Sequence, residues 1–255
     1  MKKLEILKIG GKVIDDKEKL TSVLAAFAAI NTPKILIHGG GSKASKMEQK
    51  LGLIPNMVEG RRITDEYSIE VVIMVYAGLI NKNIVAGLQG VGCNALGLSG
   101  ADGNVILSEK RPVNKIDYGF VGDVTSVNSV FISSLIETRI TPVFSAITHD
   151  GNGQLLNTNA DTMASEIAVA MSGIYEVHLT LAFEKNGVLD AKGEVLAQIN
   201  EASFNQLKKE GTVSDGMIPK LSNAFDALKN GVQEVKLTSA ENLAGRNLPH
   251  TKIVI

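Results

Sequence analysis

The sequence predicts an α/β protein with a mainly parallel sheet that is covered by helices on both faces. Three observations predict it. Short β-rich runs alternate with segments of helical apolar spacing, the first two predicted strands both end in glycine clusters, and 25 glycines stand against 6 prolines. Such alternation is typical of parallel strands joined by crossover helices. A chain of 255 residues with 44% hydrophobic residues can also bury a substantial core.

The first part of the chain opens as a strand, a helix and a second strand. LEILKI (4–9) alternates like a strand, apolar residues recur at helical spacing over 20–30, and KILIH (34–38) is the second strand. A long helix is predicted from about 65 to 88. Further strands are predicted near 95–99, 105–109, 120–124 and 140–146, and further helices near 128–138 and 159–171.

The second part repeats the alternation. The predicted strands are EVHLTL (176–181), GVLD (187–190), EVKLT (234–238) and KIVI (252–255), and the helices are 201–210 and 217–229. A helix gives way to a new strand near Ser172 and Gly173. We therefore predict two lobes, an N-terminal lobe of residues 1–173 and a C-terminal lobe of residues 174–255.

Composition excludes several classes of partner. A net charge of −1 gives no electrostatic reason to bind nucleic acid or an anionic membrane. No run reaches the roughly 18–20 uninterrupted apolar residues of a membrane span. Cys93 is the single cysteine, which favours a reducing compartment, and the four histidines show no metal-ligand spacing. We expect a cytoplasmic protein without a nucleic-acid partner, a membrane partner or a metal held by side chains.

The glycine clusters predict an anion site. KIGGK (8–12) and HGGG (38–41) both follow strands, and the carboxyl ends of parallel strands meet at one edge of a sheet, where ligands bind. Successive glycines can turn several N–H groups toward one phosphate. The alternative is that these glycines only allow tight turns.

The kind of anion site is left open by these patterns. The P-loop pattern fails, because no Gly-Lys-Ser/Thr follows the HGGG cluster (38–41). Gly39, Gly41 and Ala44 match the dinucleotide pattern G-x-G-x-x-[GA], but after the second strand rather than the first. A nicotinamide-dependent oxidoreductase therefore stays as an alternative.

Lys8 stands inside an apolar strand, one residue before the glycines. A buried ammonium is costly unless it meets an anion, so Lys8 predicts stabilisation of a transferred phosphoryl group. The alternative is a lysine whose amine extends to the protein surface.

The chain closely resembles the N-acetylglutamate kinases of the amino acid kinase family over nearly its whole length. Single motifs of this kind are weak signals, but here eight occur in the order of the family. The matching stretches are KIGG (8–11), HGGG (38–41), GRRITD (60–65), VYAGLINK (75–82), GLSGADG (97–103), YGFVGDV (118–124), LNTNAD (156–161) and DGMIPK (215–220).

The resemblance implies an open αβα sandwich of the carbamate kinase-like type, with an acylamino-acid lobe followed by a nucleotide lobe. It implies transfer of the γ-phosphate of ATP, with Mg²⁺, to the side-chain carboxylate of N-acetylglutamate in arginine biosynthesis. Lys8 and Lys220 match the lysines that flank the phosphoryl group, and Asp161 matches the aspartate that holds them. Asp161 need not be a base, since a carboxylate nucleophile is already deprotonated.

The resemblance also implies the contacts of the two substrates. Arg62 matches the arginine that binds the substrate α-carboxylate, a task that suits its bidentate fork, and Asn157 would bind the same molecule. From sequence spacing alone, Asn157 and Asp161 could instead cap the following helix. The remaining predicted contacts are those to phosphate, nucleotide or substrate oxygens, which involve Gly10, Gly11, Gly40, Gly41, Glu184, Ser214 and Asp215.

Several positions depart from the family pattern. Glu184 takes the place of an aspartate in the turn that contacts the nucleotide, which leaves a non-catalytic regulatory protein of the same fold as an alternative. Arg61 adds a cation beside Arg62 where the family commonly has leucine. We hypothesise that Arg61 accommodates a longer acidic acyl group, which would make N-succinylglutamate the substrate.

Assembly is also predicted by resemblance. The first strand begins by about residue 4, without the N-terminal helix that joins arginine-inhibited relatives into hexamers. We expect a homodimer without arginine feedback, with the helix near 65–88 as its interface. Packing of that helix in the core of one subunit is the alternative.

Overall fold

The structure is a computed structural model that describes residues 1–58, 61–213, 216–244 and 248–255. The strands of this part of the chain are β1 (Lys3–Ile9), β2 (Lys34–His38), β3 (Met57–Val58), β4 (Arg61–Arg62), β5 (Ala95–Leu98), β6 (Ile106–Lys110), β7 (Gly122–Val127), β8 (Thr141–Ser145), β9 (Ile147–His149), β10 (Leu155–Asn157), β11 (Glu176–Phe183), β12 (Gln198–Ile199), β13 (Glu234–Ser239) and β14 (His250–Ile253).

The helices lie between these strands, as the alternation predicts. They are α1 (Gly11–Asp15), α2 (Lys17–Ala28), α3 (Gly41–Lys50), α4 (Glu66–Ile73), α5 (Asn81–Gly90), α6 (Ser129–Glu137), α7 (Ala160–Ser172), α8 (Glu201–Lys209) and α9 (Met217–Lys229). Short 3₁₀ turns add Asp102–Asn104 and Ala240–Ala244, and a π-helical segment, Met74–Ile80, joins α4 to α5.

The main sheet confirms the predicted fold class. Among the described residues its strand order is β12-β14-β13-β11-β1-β2-β8-β5, and every neighbouring pair is parallel except β13 with β14. In β1 and β2, Ile9 is the register partner of His38. The two glycine clusters that follow these residues therefore lie side by side at one edge of the sheet.

The sequence did not predict a second, smaller sheet of strand order β10-β9-β6-β7, which is largely antiparallel. Its strands β9 and β10 have three residues each, too few to show an alternating pattern. The predicted strand at 187–190 is wrong, because the pairing there is a single bridge between Leu189 and Val195. The predicted lobe boundary near 173 stays a prediction.

The predicted long helix is present as the continuous run Glu66–Gly90. By length and mean hydropathy this helix could cross a membrane, a test that core helices of soluble proteins also pass. Its side chains at Val72, Ile80, Ile84 and Leu88 are no more than 1% exposed and pack in the core. The helix thus forms part of the hydrophobic core on one face of the main sheet.

The two faces of the main sheet bury separate apolar clusters. The cluster to which the neighbours of Lys8 belong shows the face toward which its side chain points. Leu4 and Ile6 belong to the cluster beneath α7 and α9, whereas Leu7 and Ile9 pack on the opposite side. Side chains alternate along a strand, so Lys8 follows Leu4 and Ile6 on the α7 side. It is buried, and the alternative of a surface lysine is wrong.

Candidate active site

Two helix N-termini open onto the edge of the sheet where the glycine clusters lie. Gly10 and Gly11 begin α1, and Gly40 and Gly41 begin α3. Neither helix has a side chain that caps its first N–H groups. Unpaired N–H groups at helix N-termini bind anions, so the local structure provides the donors of the predicted anion site.

Gly40 has a packing role as well. A Cβ atom there would lie 2.3 Å from Ile80 Cδ1 and 3.0 Å from the Tyr76 ring. At Gly10 and Gly11 an added Cβ would meet its nearest protein atoms only at 3.6 Å and 3.4 Å. Close packing therefore explains Gly40, whereas the packing of the protein alone does not require glycine at 10 and 11.

His38 is the last residue of β2 and directly precedes the glycine segment 39–41. It is fully buried, with Nδ1 2.8 Å from the carbonyl oxygen of Gly39 and Nε2 3.1 Å from the amide nitrogen of Asn81. Burial lowers the pKa of His38 to about 4, helped by the charge of Lys82 and opposed by the bond to Gly39. A neutral ring at pH 7, bonded to Gly39 and Asn81, fits a structural role for His38.

Lys8, Asp161 and Lys220 come together from three separate elements. Lys8 Nζ lies 2.8 Å from Asp161 Oδ1, and Lys220 Nζ donates to Asp161 Oδ2. The three side chains are 10%, 16% and 11% exposed. Asp161 is in the first turn of α7, and Lys220 is in the first turn of α9. Tertiary folding thus brings the two predicted lysines to one carboxylate.

The electrostatics of this cluster follow from burial and charge. Burial raises the pKa of Asp161, but the charges of Lys8 and Lys220 outweigh it and hold that pKa well below its usual range. Burial lowers the pKa of Lys220, and Lys8 adds to that effect, while Asp161 opposes it. Two ammonium groups with one carboxylate leave an excess positive charge, which suits phosphate.

The capping interpretation of Asn157 and Asp161 is wrong. The cap of α7 is Asn159, whose side chain accepts hydrogen bonds from the N–H groups of Asp161 and Thr162. Asn157 lies on β10, and its amide donates to Thr64 Oγ1 at 3.0 Å. Asp161 and Asn157 therefore have side chains that are available to the site.

Two cavities meet at Lys8, Gly10 and Gly11. The larger, of about 500 Å³, is also lined by Lys220, Phe183 and Glu184. The smaller, of about 220 Å³, is lined by the predicted substrate residues Gly40, Gly41, Arg62 and Asn157, together with Asp161. The sequence thus predicts residues in both cavities and at their junction.

Glu184 lies at the mouth of the larger cavity. Its carboxylate is 2.5 Å from Lys12 Nζ, and both side chains are more than half exposed. It follows β11, where the predicted nucleotide turn stands. Ser214 and Asp215, the other predicted nucleotide residues, lie outside the described residues.

Arg62 is less available than the sequence predicts. Nη1 donates to Glu48, while Nη2 donates to the carbonyl oxygen of Gly41 at 2.9 Å and to Ser45 Oγ at 2.7 Å. Both bidentate edges of a guanidinium include Nη2. With both Nη2 hydrogens donated, the bidentate fork expected for a carboxylate is not open in this conformation.

Sequence reasoning missed several residues around the smaller cavity. Arg111 and Tyr76 line it, and Arg111 is held by Asp123 and lies over the ring of Tyr118. Arg111 follows β6 without any local pattern that could reveal its position. Glu48 lies one helical turn after the buried Ala44, and this i, i+4 spacing could have placed it on the buried face of α3.

Among the described residues, no group of three or more His, Cys, Asp or Glu side chains is arranged to hold a metal. The carboxylates that line the larger cavity are Glu184 and Glu241, and they are paired with Lys12 and Lys19. A cation that enters with a nucleotide would therefore be held by phosphate oxygens and water more than by these side chains.

Comparisons with known proteins show the family and the fold of the chain. The sequence pattern of the amino acid kinase family matches residues 3–239. The acetylglutamate kinase of Bacteroides fragilis is 53% identical over 241 residues, which are 93% of this chain and 92% of that protein. The crystal structure of smu.665 from Streptococcus mutans has a TM-score of 0.84 at 25% identity and covers 98% of each chain.

The carbamate kinase of Giardia shares the fold alone, with a TM-score of 0.70 at 14% identity over 99% of this chain and 98% of that one. Fold and sequence together define an α/β enzyme of the small-molecule kinase class. The chain belongs to the amino acid kinase family, within the branch of the acetylglutamate kinases. This membership removes the basis for a nicotinamide-dependent oxidoreductase.

Proposed function

We propose that the protein transfers the γ-phosphate of ATP to the side-chain carboxylate of N-acetyl-L-glutamate. The product is N-acetyl-L-glutamyl 5-phosphate, and the reaction belongs to arginine biosynthesis, which we place in the cytoplasm. One observation supports this proposal most directly. The cavity that contains Lys220 and the cavity that contains Arg62 and Asn157 meet at Lys8 and two glycines.

The reaction needs charge stabilisation more than proton transfer. An oxygen of the substrate carboxylate attacks the γ-phosphorus. At the same time the bond between that phosphorus and the β,γ-bridging oxygen breaks, and ADP leaves. Lys8 and Lys220 offset the negative charge of the phosphoryl group, with Lys8 at the junction and Lys220 on the ATP side. Asp161 orients both ammonium groups. Because the nucleophile is already a carboxylate, no general base is required.

ATP is assigned to the larger cavity, and Mg²⁺ would enter bound to its phosphates. The free N–H groups at the start of α1 and the ammonium of Lys8 are donors that suit phosphate oxygens. The bound ion would neutralise phosphate charge. Acylglutamate is assigned to the smaller cavity, where its side-chain carboxylate would face Lys8.

N-succinyl-L-glutamate is the second candidate substrate, and the cations of the smaller cavity favour it. Arg61, Arg62 and Arg111 all line this cavity. Arg62 is neutralised by Glu48 and Arg111 by Asp123, whereas Arg61 forms no ion pair within the described residues. An additional carboxylate on the acyl group would find its charge partner in Arg61.

The first test is the trapping of acyl phosphate with hydroxylamine in the presence of MgATP. N-acetylglutamate, N-succinylglutamate, glutamate and aspartate are offered separately. We expect hydroxamate from an acylglutamate and none from the free amino acids. The absence of product from every substrate, with ATP still bound, would contradict the kinase and favour the regulatory alternative. Equal turnover of both acylglutamates, unaffected by Arg61→Leu, would exclude a role of Arg61 in choosing the acyl group.

The protein is also proposed to be a homodimer through the outer face of the helix Glu66–Gly90. Tyr67, Met74 and Leu79 on this helix are 65%, 55% and 48% exposed, an apolar surface that a second copy could cover. Light scattering should give twice the mass of the chain. The substitution Met74→Glu should shift the protein to monomer, and Val130→Glu, at an exposed valine on α6, is the control. A monomeric wild type would contradict the proposal.

A further inference from the structure

A buried ion pair lies beside the smaller cavity and is not required by the reaction as described above. Glu48 of α3 is 0% exposed and Arg62 of β4 is 5% exposed. Arg62 Nη1 donates to Glu48 Oε2. A buried guanidinium needs a counter-ion, and among the described residues Glu48 is the acid that pairs with it.

A contribution to folding stability does not by itself explain why a buried glutamate stands at position 48. Its second oxygen, Oε1, is buried and has no hydrogen-bond partner within the described part of the chain. A buried carboxylate with an unsatisfied oxygen is costly, and buried ion pairs are often no more stabilising than apolar residues of the same volume. A role in the orientation of Arg62 would explain why the acid is placed there.

Glu48 and the first turns of α3 together determine the orientation of the Arg62 guanidinium group. The hydrogens of Nη2 go to Gly41 and Ser45, and one hydrogen of Nη1 goes to Glu48. The donors that remain for a ligand are Nε–H and the second hydrogen of Nη1. Arg62 still lines the smaller cavity, so these are the donors through which it can reach an anion.

Arg62 and Tyr76 both contact the glycine segment 39–41. Tyr76 is buried and lines the smaller cavity, and its ring packs against Gly40. A Cβ atom added at Gly41 would lie 3.8 Å from Tyr76 Oη, and the carbonyl oxygen of Gly41 accepts a hydrogen bond from Arg62 Nη2. A shift of Arg62 would therefore disturb Gly40 and Gly41 as well.

We propose that Glu48 is a positioning residue for the acylglutamate site. Its charge fixes Arg62 so that a remaining Nε or Nη1 hydrogen can donate a single hydrogen bond to the anionic end of the substrate while Nη2 holds Gly41 in place. This inference rests on the proposed function, since it takes the ligand of the smaller cavity to be an acylglutamate.

The test is the substitution Glu48→Gln, which keeps the shape and removes the charge. The KM for the acylglutamate is expected to rise about tenfold or more, because Arg62 loses the charged acceptor that orients its remaining donors toward the substrate. The KM for ATP should stay within about twofold, because neither Glu48 nor Arg62 lines the larger cavity. Glu70→Gln, at an exposed acid of α4, is the matched control. Equal rises in both KM values would show a merely structural role and overturn the proposal.

A second readout does not depend on activity. Phenylglyoxal modifies arginine side chains, and the rates at Arg62 and Arg61 can be compared by peptide mass spectrometry. In Glu48→Gln the rate at Arg62 should rise several-fold, while the rate at Arg61 serves as the internal reference. An unchanged rate at Arg62 with an unchanged KM would overturn the proposal.

If Glu48→Gln does not fold, Glu48→Asp replaces it, because this variant keeps the charge but withdraws the carboxylate from Arg62 by one methylene group. A smaller rise in acylglutamate KM and in Arg62 modification is then expected, and no change in either would overturn the proposal. A wild type that phosphorylates no acylglutamate contradicts the proposed function instead. The modification rates at Arg62 then decide the positioning role by themselves.

Discussion

The substitution Lys220→Met is expected to lower kcat by about 10²- to 10³-fold, the usual effect of removing one donor that stabilises transition-state charge. Lys220 lines the larger cavity, at which the phosphoryl group would be transferred, and is 11% exposed. It does not line the smaller cavity. The KM for the acylglutamate should therefore change little. Steady-state kinetics with each substrate varied in turn measure both parameters.

The matched control for Lys220→Met is Lys185→Met. Lys185 lines the same cavity but is exposed and forms no ion pair among the described residues. Its loss removes an equal charge from the cavity without touching Asp161, and we expect kcat to stay within about threefold, as for an exposed and screened charge. Equal losses in the two variants would mean that Lys220 supplies only general positive charge to the cavity.

Asp161→Asn is expected to reduce both activity and stability. Without the carboxylate, Lys8 and Lys220 are two neighbouring ammonium groups without a counter-ion, and one of them should lose its proton near neutral pH. We expect kcat to fall about 10²-fold or more at pH 8. It should recover in part as the pH is lowered and the second lysine is protonated again. A pH profile of kcat measures this, and a flat profile would contradict the orienting role of Asp161.

The stability effect of the same variant has a defined pH dependence. The folded pKa of Asp161 is depressed, so its charge stabilises the protein above the ordinary aspartate pKa of 3.8, and this contribution is lost as the pH falls through that value toward the folded pKa. Loss of one partner from a buried ion pair costs about 3 kcal/mol. Denaturant unfolding should show this difference at pH 7 and a smaller one below pH 4. Glu137→Gln, at an exposed acid of α6 that forms no ion pair among the described residues, is the control.

Much of the fold could be predicted from local patterns. Strand β2 and helix α9 have the predicted bounds, because KILIH is a short apolar run between turn residues and α9 carries clear helical spacing. The small antiparallel sheet could not be predicted in this way. Strands of two or three residues carry almost no periodicity, and their pairing depends on partners far away in the chain.

Local sequence patterns predicted only part of the candidate site as well. Lys8 could be singled out because one charged residue interrupts an apolar strand, and the glycine clusters because two of them follow neighbouring strands. The partners of those residues could not be found from spacing. Asp161 and Lys220 are 59 residues apart in the chain, and the resemblance to a family, rather than any pattern, suggested that they act together.

The sequence by itself determined the order of helices and strands, the position of the anion site at the strand ends and the residue types that suit phosphoryl transfer. These properties follow from side-chain periodicity and from the backbone freedom of glycine, which are local. Only the tertiary structure decided that Asp161 joins two lysines and that Glu48 and α3 occupy the fork of Arg62. Such contacts depend on burial and on how many of the hydrogen-bond donors of a guanidinium are already used. Neither is known until folding has brought together residues that are distant in the sequence.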